Sequence, residues 1–255
     1  MKKYLFAAVM VIAINGCKND TPQVEPEPAE IVFEQVSGSY NKERDVWETN
    51  DPKYATHTGY DNVSTGEFDF NGEPYASIAE MDKDGNPTGT GLINREGKIV
   101  VKTIYNMVMV GFVNGLCQVT DENNKYGLVS ERGVEIVKPQ YDCMGLNDQE
   151  EMEMDSTMIR VCKNDKQGFI NAKGEIVIPI KYKALQLAGD KMIMFMQKPA
   201  RWGLIDYQNN LVVKPEFTHT NIFSNGKMIL QKEGGDEYIV HSNGRVEKNK
   251  AGDEQ

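Results

Sequence analysis

The side chains that most often perform acid–base or nucleophilic chemistry are few and scattered in this sequence. The three histidines are His57, His219 and His241, and none lies in an HxH or HExxH arrangement that would hold a metal ion. No GxSxG segment is present that would expose a nucleophilic serine at the top of a sheet. These observations predict a protein that is not an enzyme and that has no catalytic residue.

Two segments carry donor atoms that could bind a metal ion. Residues 82–86 (DKDGN) alternate oxygen donors, but a calcium loop would continue with glycine and a carboxylate where this chain has Pro87 and Ile93. Methionines alternate along residues 192–196 (MIMFM), and thioethers can bind Cu(I). Alternating apolar residues are also what a half-buried strand requires. We therefore predict a turn at 82–86, core packing for the methionines, and no metal or cofactor.

Cysteines offer a third kind of chemistry. Beyond Cys17, the chain contains Cys117, Cys143 and Cys162, spaced by 26 and 19 residues, which matches no CxxC zinc or redox pair. Buried free thiols that act as small apolar side chains are the favoured interpretation. One disulfide is left open, because an odd number of cysteines in an oxidising compartment leaves at least one thiol unpaired.

Composition excludes some classes of partner. The 255 residues include 28 Lys and Arg against 38 Asp and Glu, a formal net charge of −10. Binding to a nucleic-acid backbone needs a basic face, so no nucleic-acid partner is predicted. No apolar run reaches the roughly 18 residues of a transmembrane helix. The acidic run at 148–155 (DQEEMEMD) is predicted to be a solvated loop insertion.

The N-terminus predicts the compartment. Two lysines precede an apolar stretch at 5–14, and Gly16-Cys17 follows it. This pattern resembles the lipobox of bacterial lipoproteins. The resemblance implies that residues 1–16 are a signal peptide, that Cys17 carries a thioether lipid, and that palmitate or a similar acyl chain modifies the new N-terminus. Lys18 stands where some lipoproteins carry an inner-membrane retention signal, so outer-membrane delivery is predicted, on the periplasmic side or at the cell surface. Residues 17–30 are then the lipidated cysteine and an acidic, Pro-rich tether.

Most of the remaining chain is a repeat. Four segments align without gaps from a glycine to an aromatic residue fourteen positions later, and a fifth is decayed. Copies 1 to 5 are 91–105 (GLINREGKIVVKTIY), 127–141 (GLVSERGVEIVKPQY), 168–182 (GFINAKGEIVIPIKY), 203–217 (GLIDYQNNLVVKPEF) and 238–247 (YIVHSNGRVE). The residues predicted to define the repeat structurally are Gly91, Gly97, Tyr105, Gly127, Gly133, Tyr141, Gly168, Gly174, Tyr182, Trp202, Gly203, Asn209 and Phe217.

These copies resemble the WG repeat, a β-rich bacterial repeat named for a Trp-Gly pair. Only Trp202-Gly203 keeps the pair literally, and the resemblance extends over roughly residues 76–248. It implies an all-β fold and brings no catalytic site with it.

The elements within each copy follow from turn chemistry. Two β-rich runs flank a turn with Gly or Asn at its seventh position, which favours a hairpin. A third run lies upstream of each anchor glycine, and the prolines at 139, 179 and 215 are predicted to end the last strand. We predict tandem antiparallel meanders stacked into a twisted open, solenoid-like array, with a small β-propeller as the alternative. Residues 31–75 are expected to form an N-terminal cap or a diverged repeat, and residues 249–255 a polar tail.

Function is predicted from this architecture. A stacked β array without convergent acid–base groups favours a non-enzymatic, membrane-anchored envelope lipoprotein that binds or scaffolds protein or an envelope polymer, with Trp202 and Tyr126 as candidate contact residues. One alternative is an envelope hydrolase whose loops supply carboxylates such as Asp61 or Glu67 from residues 42–84. The other is a metal-handling lipoprotein that uses the methionines or acidic loops.

Overall fold

The computed structural model describes residues 33–57, 63–65, 67–145, 158–221 and 223–249. Regular structure in these ranges is β-strand throughout, so the predicted all-β class of tandem antiparallel meanders is confirmed. Cys17, the tether, the acidic run and all of the polar tail except Asn249 lie outside the described residues, and so does Asp61.

The strands follow one another with short connections. They are β1 (Ser39–Asn41), β2 (Val46–Glu48), β3 (Tyr54–His57), β4 (Val63–Thr65), β5 (Glu67–Asp69), β6 (Tyr75–Met81), β7 (Pro87–Asn94), β8 (Ile99–Tyr105), β9 (Met107–Val108), β10 (Leu116–Thr120), β11 (Tyr126–Ser130), β12 (Glu135–Tyr141), β13 (Cys143–Gly145), β14 (Ile159–Lys163), β15 (Lys166–Ile170), β16 (Ile176–Tyr182), β17 (Ala184–Gly189), β18 (Met192–Lys198), β19 (Arg201–Asp206), β20 (Leu211–Thr220), β21 (Lys227–Lys232), β22 (Glu237–His241) and β23 (Val246–Lys248).

Five sheets arise from these strands, and we number them along the chain. Sheet 1 has the order β1-β2-β5, and sheet 2 the order β4-β3-β6-β7-β8. Sheets 3 and 4 are four-stranded meanders of β9 to β12 and β13 to β16, and sheet 5 runs through seven strands from β17 to β23. The strands that follow Tyr105, Tyr141 and Tyr182 therefore begin the next sheets.

Sheet 5 is larger than the others because it holds copies 4 and 5 together. After Tyr105, Tyr141 and Tyr182 the strand is interrupted for one residue before a new strand begins. After Phe217 there is no interruption, and β20 continues to Thr220, which pairs with Leu230 of β21. The two last copies therefore share one continuous sheet.

A β-bulge at the anchor glycine recurs in copies 1 to 4. In copy 2, Tyr126 pairs with Tyr141 but Leu128 pairs with Val137, so the register shifts across Gly127. The same shift occurs at Gly91, Gly168 and Gly203. The extra residues bring the carbonyl group of the third strand directly over the glycine, since a Cβ at Gly127 would stand 2.5 Å from the carbonyl oxygen of Val137. The anchor must be glycine because nothing larger fits beneath the bulge.

Copy 5 supports this explanation, because it lacks both the anchor glycine and the bulge. Tyr238 replaces the anchor glycine, and β22 pairs with β23 in an unbroken register from Tyr238–Lys248 to Val240–Val246. A side chain is tolerated at this position when no bulge covers it.

The predicted role of the prolines is wrong. Pro139, Pro179 and Pro215 lie inside β12, β16 and β20 instead of ending them. Each sits in the bulged part of a strand whose other side is unpaired there, so the missing N–H removes no ladder hydrogen bond. In copy 2 the ring of Pro139 packs over Gly127.

The core is divided into clusters that join consecutive sheets. Val36, Trp47 and Phe68 pack on Ile78 and Ile93 of sheet 2. The remaining clusters join sheets 2 and 3 (Val101 with Val129), sheets 3 and 4 (Val137 with Ile170), sheets 4 and 5 (Ile178 with Ile205), and the two halves of sheet 5 (Leu204 with Met228). Packing of each meander on the next along the chain is common to the open array and to the propeller.

Candidate functional site

The turn of each hairpin has the backbone conformation that the repeat predicts. Gly97, Gly133, Gly174 and Asn209 have φ values of 75°, 71°, 80° and 64°. The turns also contact the preceding unit, since a Cβ at Gly174 would stand 2.8 Å from Cγ2 of Val137. These seventh positions thus serve both the hairpin and the packing between sheets.

Sequence reasoning missed the residue at the fourth position of each copy. Oδ1 of Asp206 accepts hydrogen bonds from the backbone N–H groups of Gln208 (2.9 Å) and Asn210 (2.7 Å). Asn94 and Asn171 cap their turns in the same way, and Ser130 accepts one such bond. The sequence signal for such a turn cap is an Asn or Asp three positions before the Gly or Asn of the turn.

We expect Asp206→Ala to lower the free energy of unfolding by about 1–2 kcal/mol, because two turn N–H groups lose their acceptor. Asp206→Asn keeps an acceptor oxygen and is the matched control. Urea unfolding followed by fluorescence measures both. Equal midpoints for the alanine variant and the wild type would contradict the capping role.

The closing aromatic residues connect each copy to the next. Within a sheet, Tyr141 stands opposite Tyr126 and Phe217 opposite Trp202. Tyr182 donates its hydroxyl hydrogen bond to Oδ1 of Asn209 in the following copy, at 2.7 Å. Trp202 and Tyr126 are partly buried against their own cores. Their role as contact residues for a partner stays a prediction.

The cysteines divide into a bonded pair and a buried thiol. Cys143 and Cys162 stand directly opposite each other on β13 and β14, and they form a disulfide with a Cα–Cα distance of 5.0 Å. The interpretation of all three cysteines as free thiols is therefore wrong for these two, because sheet pairing brings together residues whose spacing in sequence had no motif. Cys117 is free and buried, as predicted.

Cys117 is expected to react slowly with alkylating reagents in the folded protein. Burial raises the pKa of its thiol to about 12, so the thiolate is scarce at neutral pH. Iodoacetamide at pH 8 should modify it at least about a hundredfold more slowly than in 6 M guanidinium. Mass spectrometry of the tryptic peptide measures the rate, and comparable rates in the two conditions would contradict the burial.

The structure also shows the surroundings of other residues that the sequence suggested as metal ligands or catalytic groups. Met192 and Met194 are buried in the core of sheet 5, as predicted. Asp82 caps its own turn by accepting from the N–H groups of Asp84 and Asn86, and the bond from Asn86 lowers the pKa of its carboxyl. Glu67 is ion-paired with Arg44. Nε2 of His241 stands 2.8 Å from Oε1 of Glu247, and the His241 side chain is 15% exposed.

His57 and His219 lie on β3 and β20, on separate sheets. Within the described ranges, no group of three or more His, Cys, Asp or Glu side chains is placed to hold a metal ion. The same residues include no helix of the length and apolar character needed to cross a bilayer.

An open groove of about 700 Å³ lies between two hairpin tips of sheet 5. One tip connects β18 to β19 and the other connects β21 to β22. Lys198, Arg201 and Lys232 supply positive charge to the groove, and Glu233 supplies the opposing charge. The lining residues lie on either side of copy 4, which keeps the Trp-Gly pair.

Contacts within the groove hold the cations in place. Arg201 pairs with Glu233 across the two tips, and Lys232 pairs with Glu216 at 2.8 Å, which raises the pKa of Lys232. Nζ of Lys232 also stands 5.4 Å from the ring centre of Phe217 and 5.0 Å from that of Tyr238. Lys198 has no ion pair among the described side chains, so it is the cation most available to an anionic group.

Solved structures resemble the chain weakly. BamB from Moraxella catarrhalis is 9% identical, with a TM-score of 0.33, over 86% of this chain and 80% of that one. The computationally designed Ika8 protein is 10% identical, with a TM-score of 0.31, over 83% and 74%. Virginiamycin B lyase from Staphylococcus aureus is 14% identical, with a TM-score of 0.30, over 79% and 86%. No curated protein matches the chain.

A family model describes the repeats directly. The model of the WG containing repeat matches residues 91–126, 168–186 and 202–235. These segments begin at or one residue before the anchor glycines of copies 1, 3 and 4, so the chain contains the WG repeat in these three segments.

Proposed function

We propose that this WG-repeat chain is a non-enzymatic lipoprotein of the cell envelope, anchored through Cys17, whose repeat region binds or scaffolds a protein or an envelope polymer. The observation that carries the binding role is the groove between the two hairpin tips of sheet 5, because it gathers Lys198, Arg201 and Lys232 on a chain of net charge −10. An anionic segment of a protein or polymer is the ligand that such a groove favours.

The anchor is supported by the sequence at 5–17, and durable attachment requires two or more acyl chains. We propose the outer membrane as its location. Metabolic labelling with an alkyne palmitate should mark the wild type and not Cys17→Ser, and fractionation should move that variant away from the membrane. Equal labelling of both would exclude lipidation at this residue.

Binding is tested with purified full-length protein on glycan arrays and in cross-linked envelope extract. Lys198→Glu with Lys232→Glu should lose the ligand, because the groove changes sign. Lys138→Glu reverses one charge at an exposed residue of β12 in sheet 3 and is the control, compared with Lys198→Glu alone as well as with the double variant. No ligand in either assay, or the same ligand retained by the groove variant, would count against the groove.

A further inference from the structure

The first repeat carries an added strand at its outer edge. Gln35 pairs with Lys98 in an antiparallel bridge beside the start of β8. The N–H of Val36 donates to the carbonyl oxygen of Gly97 at 2.8 Å, and the N–H of Ile99 donates to the carbonyl oxygen of Glu34 at 2.9 Å. The segment Phe33–Val36 thus uses the outward backbone groups of copy 1.

This added strand covers an apolar position of the repeat. Ile99, the ninth residue of copy 1, is 4% exposed and packs with Val36 and Trp47. The next residue, Val100, is 7% exposed. Copy 1 therefore shows both what occupies this edge and what the occupant buries.

The same position stays apolar in copies 3, 4 and 5, where no described residue covers it as Phe33–Val36 does in copy 1. Ile176, Leu211 and Val246 are the ninth residues of copies 3, 4 and 5, and they are 58%, 58% and 40% exposed. Among the described residues, Ile176 pairs only with Ile170 and Leu211 only with Ile205, on the inner side of the hairpin. Their outer backbone groups face the side that Phe33–Val36 uses in copy 1.

Copy 2 departs from this pattern for a visible reason. Its ninth residue is Glu135, whose Oε2 accepts the hydroxyl hydrogen bond of Tyr105 at 3.3 Å. The position there is used for contact with the preceding copy.

We propose that the starts of β16 and β20, at Ile176 and Leu211, bind an extended peptide segment of another protein by strand addition. The occupant resembles Phe33–Val36 in having two apolar side chains separated by two polar ones, and it pairs through its backbone. A second copy of this chain is disfavoured as the source, because its own Phe33–Val36 would have to leave Ile99 exposed. The inference deepens the proposed binding role and rests on it.

The probe is a fluorescent peptide of residues 31–38 (IVFEQVSG), titrated into full-length protein and followed by anisotropy. Ile176→Glu with Leu211→Glu should weaken binding about tenfold or more, because two half-exposed side chains no longer become buried. Ile104→Glu changes an apolar side chain that is 65% exposed at another position of the repeat, and it should bind like the wild type. A peptide with Val36→Pro lacks the donor N–H and should bind about tenfold more weakly.

Unchanged affinity in the Ile176 and Leu211 variant, or equal binding of the proline peptide, overturns the proposal. Self-association in sedimentation that this variant abolishes would assign the edge to a second copy and would also overturn it. If an envelope ligand is still lost on reversal of the groove charges while the peptide does not bind, the proposed function stands and only the strand-addition site fails.

Discussion

Gly127→Ala is expected to lower the free energy of unfolding by about 3 kcal/mol or more, although it adds only one methyl group. That methyl would stand 2.5 Å from the carbonyl oxygen of Val137 and 2.8 Å from the nitrogen of Pro139, so backbone must move to admit it. Relief would require straightening the bulge, which would slide Val137 and Tyr141 out of their core positions. Thermal and urea unfolding of the variant measure the loss.

The matched control is Gly85→Ala, at a glycine with nothing within 4 Å of an added Cβ. Its φ of 82° makes alanine unfavourable by about 1–2 kcal/mol, which is conformational strain without a clash. Gly127 should therefore be the costlier site. A loss at Gly127 no larger than at Gly85 would show that the bulge can relax around a side chain.

Removal of the disulfide is expected to cost about 3 kcal/mol, the loop-closure value for a bridge of this span. Cys143 and Cys162 are separated by 19 residues, and the acidic run lies between them. Cys143→Ser with Cys162→Ser should lower the urea midpoint, and reduction of the wild type should produce the same shift. Reduction should leave the double variant unchanged.

Thiol titration checks the pairing independently of stability. In the Cys17→Ser variant, which has no thiol at that position, the denatured, unreduced protein should show one thiol, from Cys117, and three after reduction. Three thiols before reduction would exclude the disulfide and remove the basis for the stability prediction.

The sequence predicts the part of this fold that is set locally. The hairpin turns depend on a residue with positive φ, and such residues are visible as Gly or Asn at a fixed spacing. The anchor glycine is equally recognisable in the sequence. The reason for it is not recognisable there, because the clash that excludes a side chain comes from a carbonyl group ten residues later. The position of the prolines follows from the same bulge, which no local propensity encodes.

Contacts between strands are harder to predict because they depend on register. The bridge between Cys143 and Cys162 requires that β13 pair with β14 in the register that places the two cysteines opposite each other, and their spacing of 19 residues does not encode that register. Likewise, copies 4 and 5 share one sheet because β20 continues through Thr218, at the position where β8, β12 and β16 have ended. The groove at Lys198 and Lys232 lies between two hairpin tips of that shared sheet.

The sequence repeat and the sheets are out of phase. The stretch from Gly91 to Tyr126 contains the last strands of sheet 2 and the first strands of sheet 3, so this segment and the next two anchor-to-anchor segments each belong to two sheets. Duplication or loss of such a segment in the gene would therefore lengthen or shorten the protein by a whole sheet while leaving no interior sheet incomplete. Only the two ends would need strands of their own, and at the N-terminal end β3, β4 and β6 supply them.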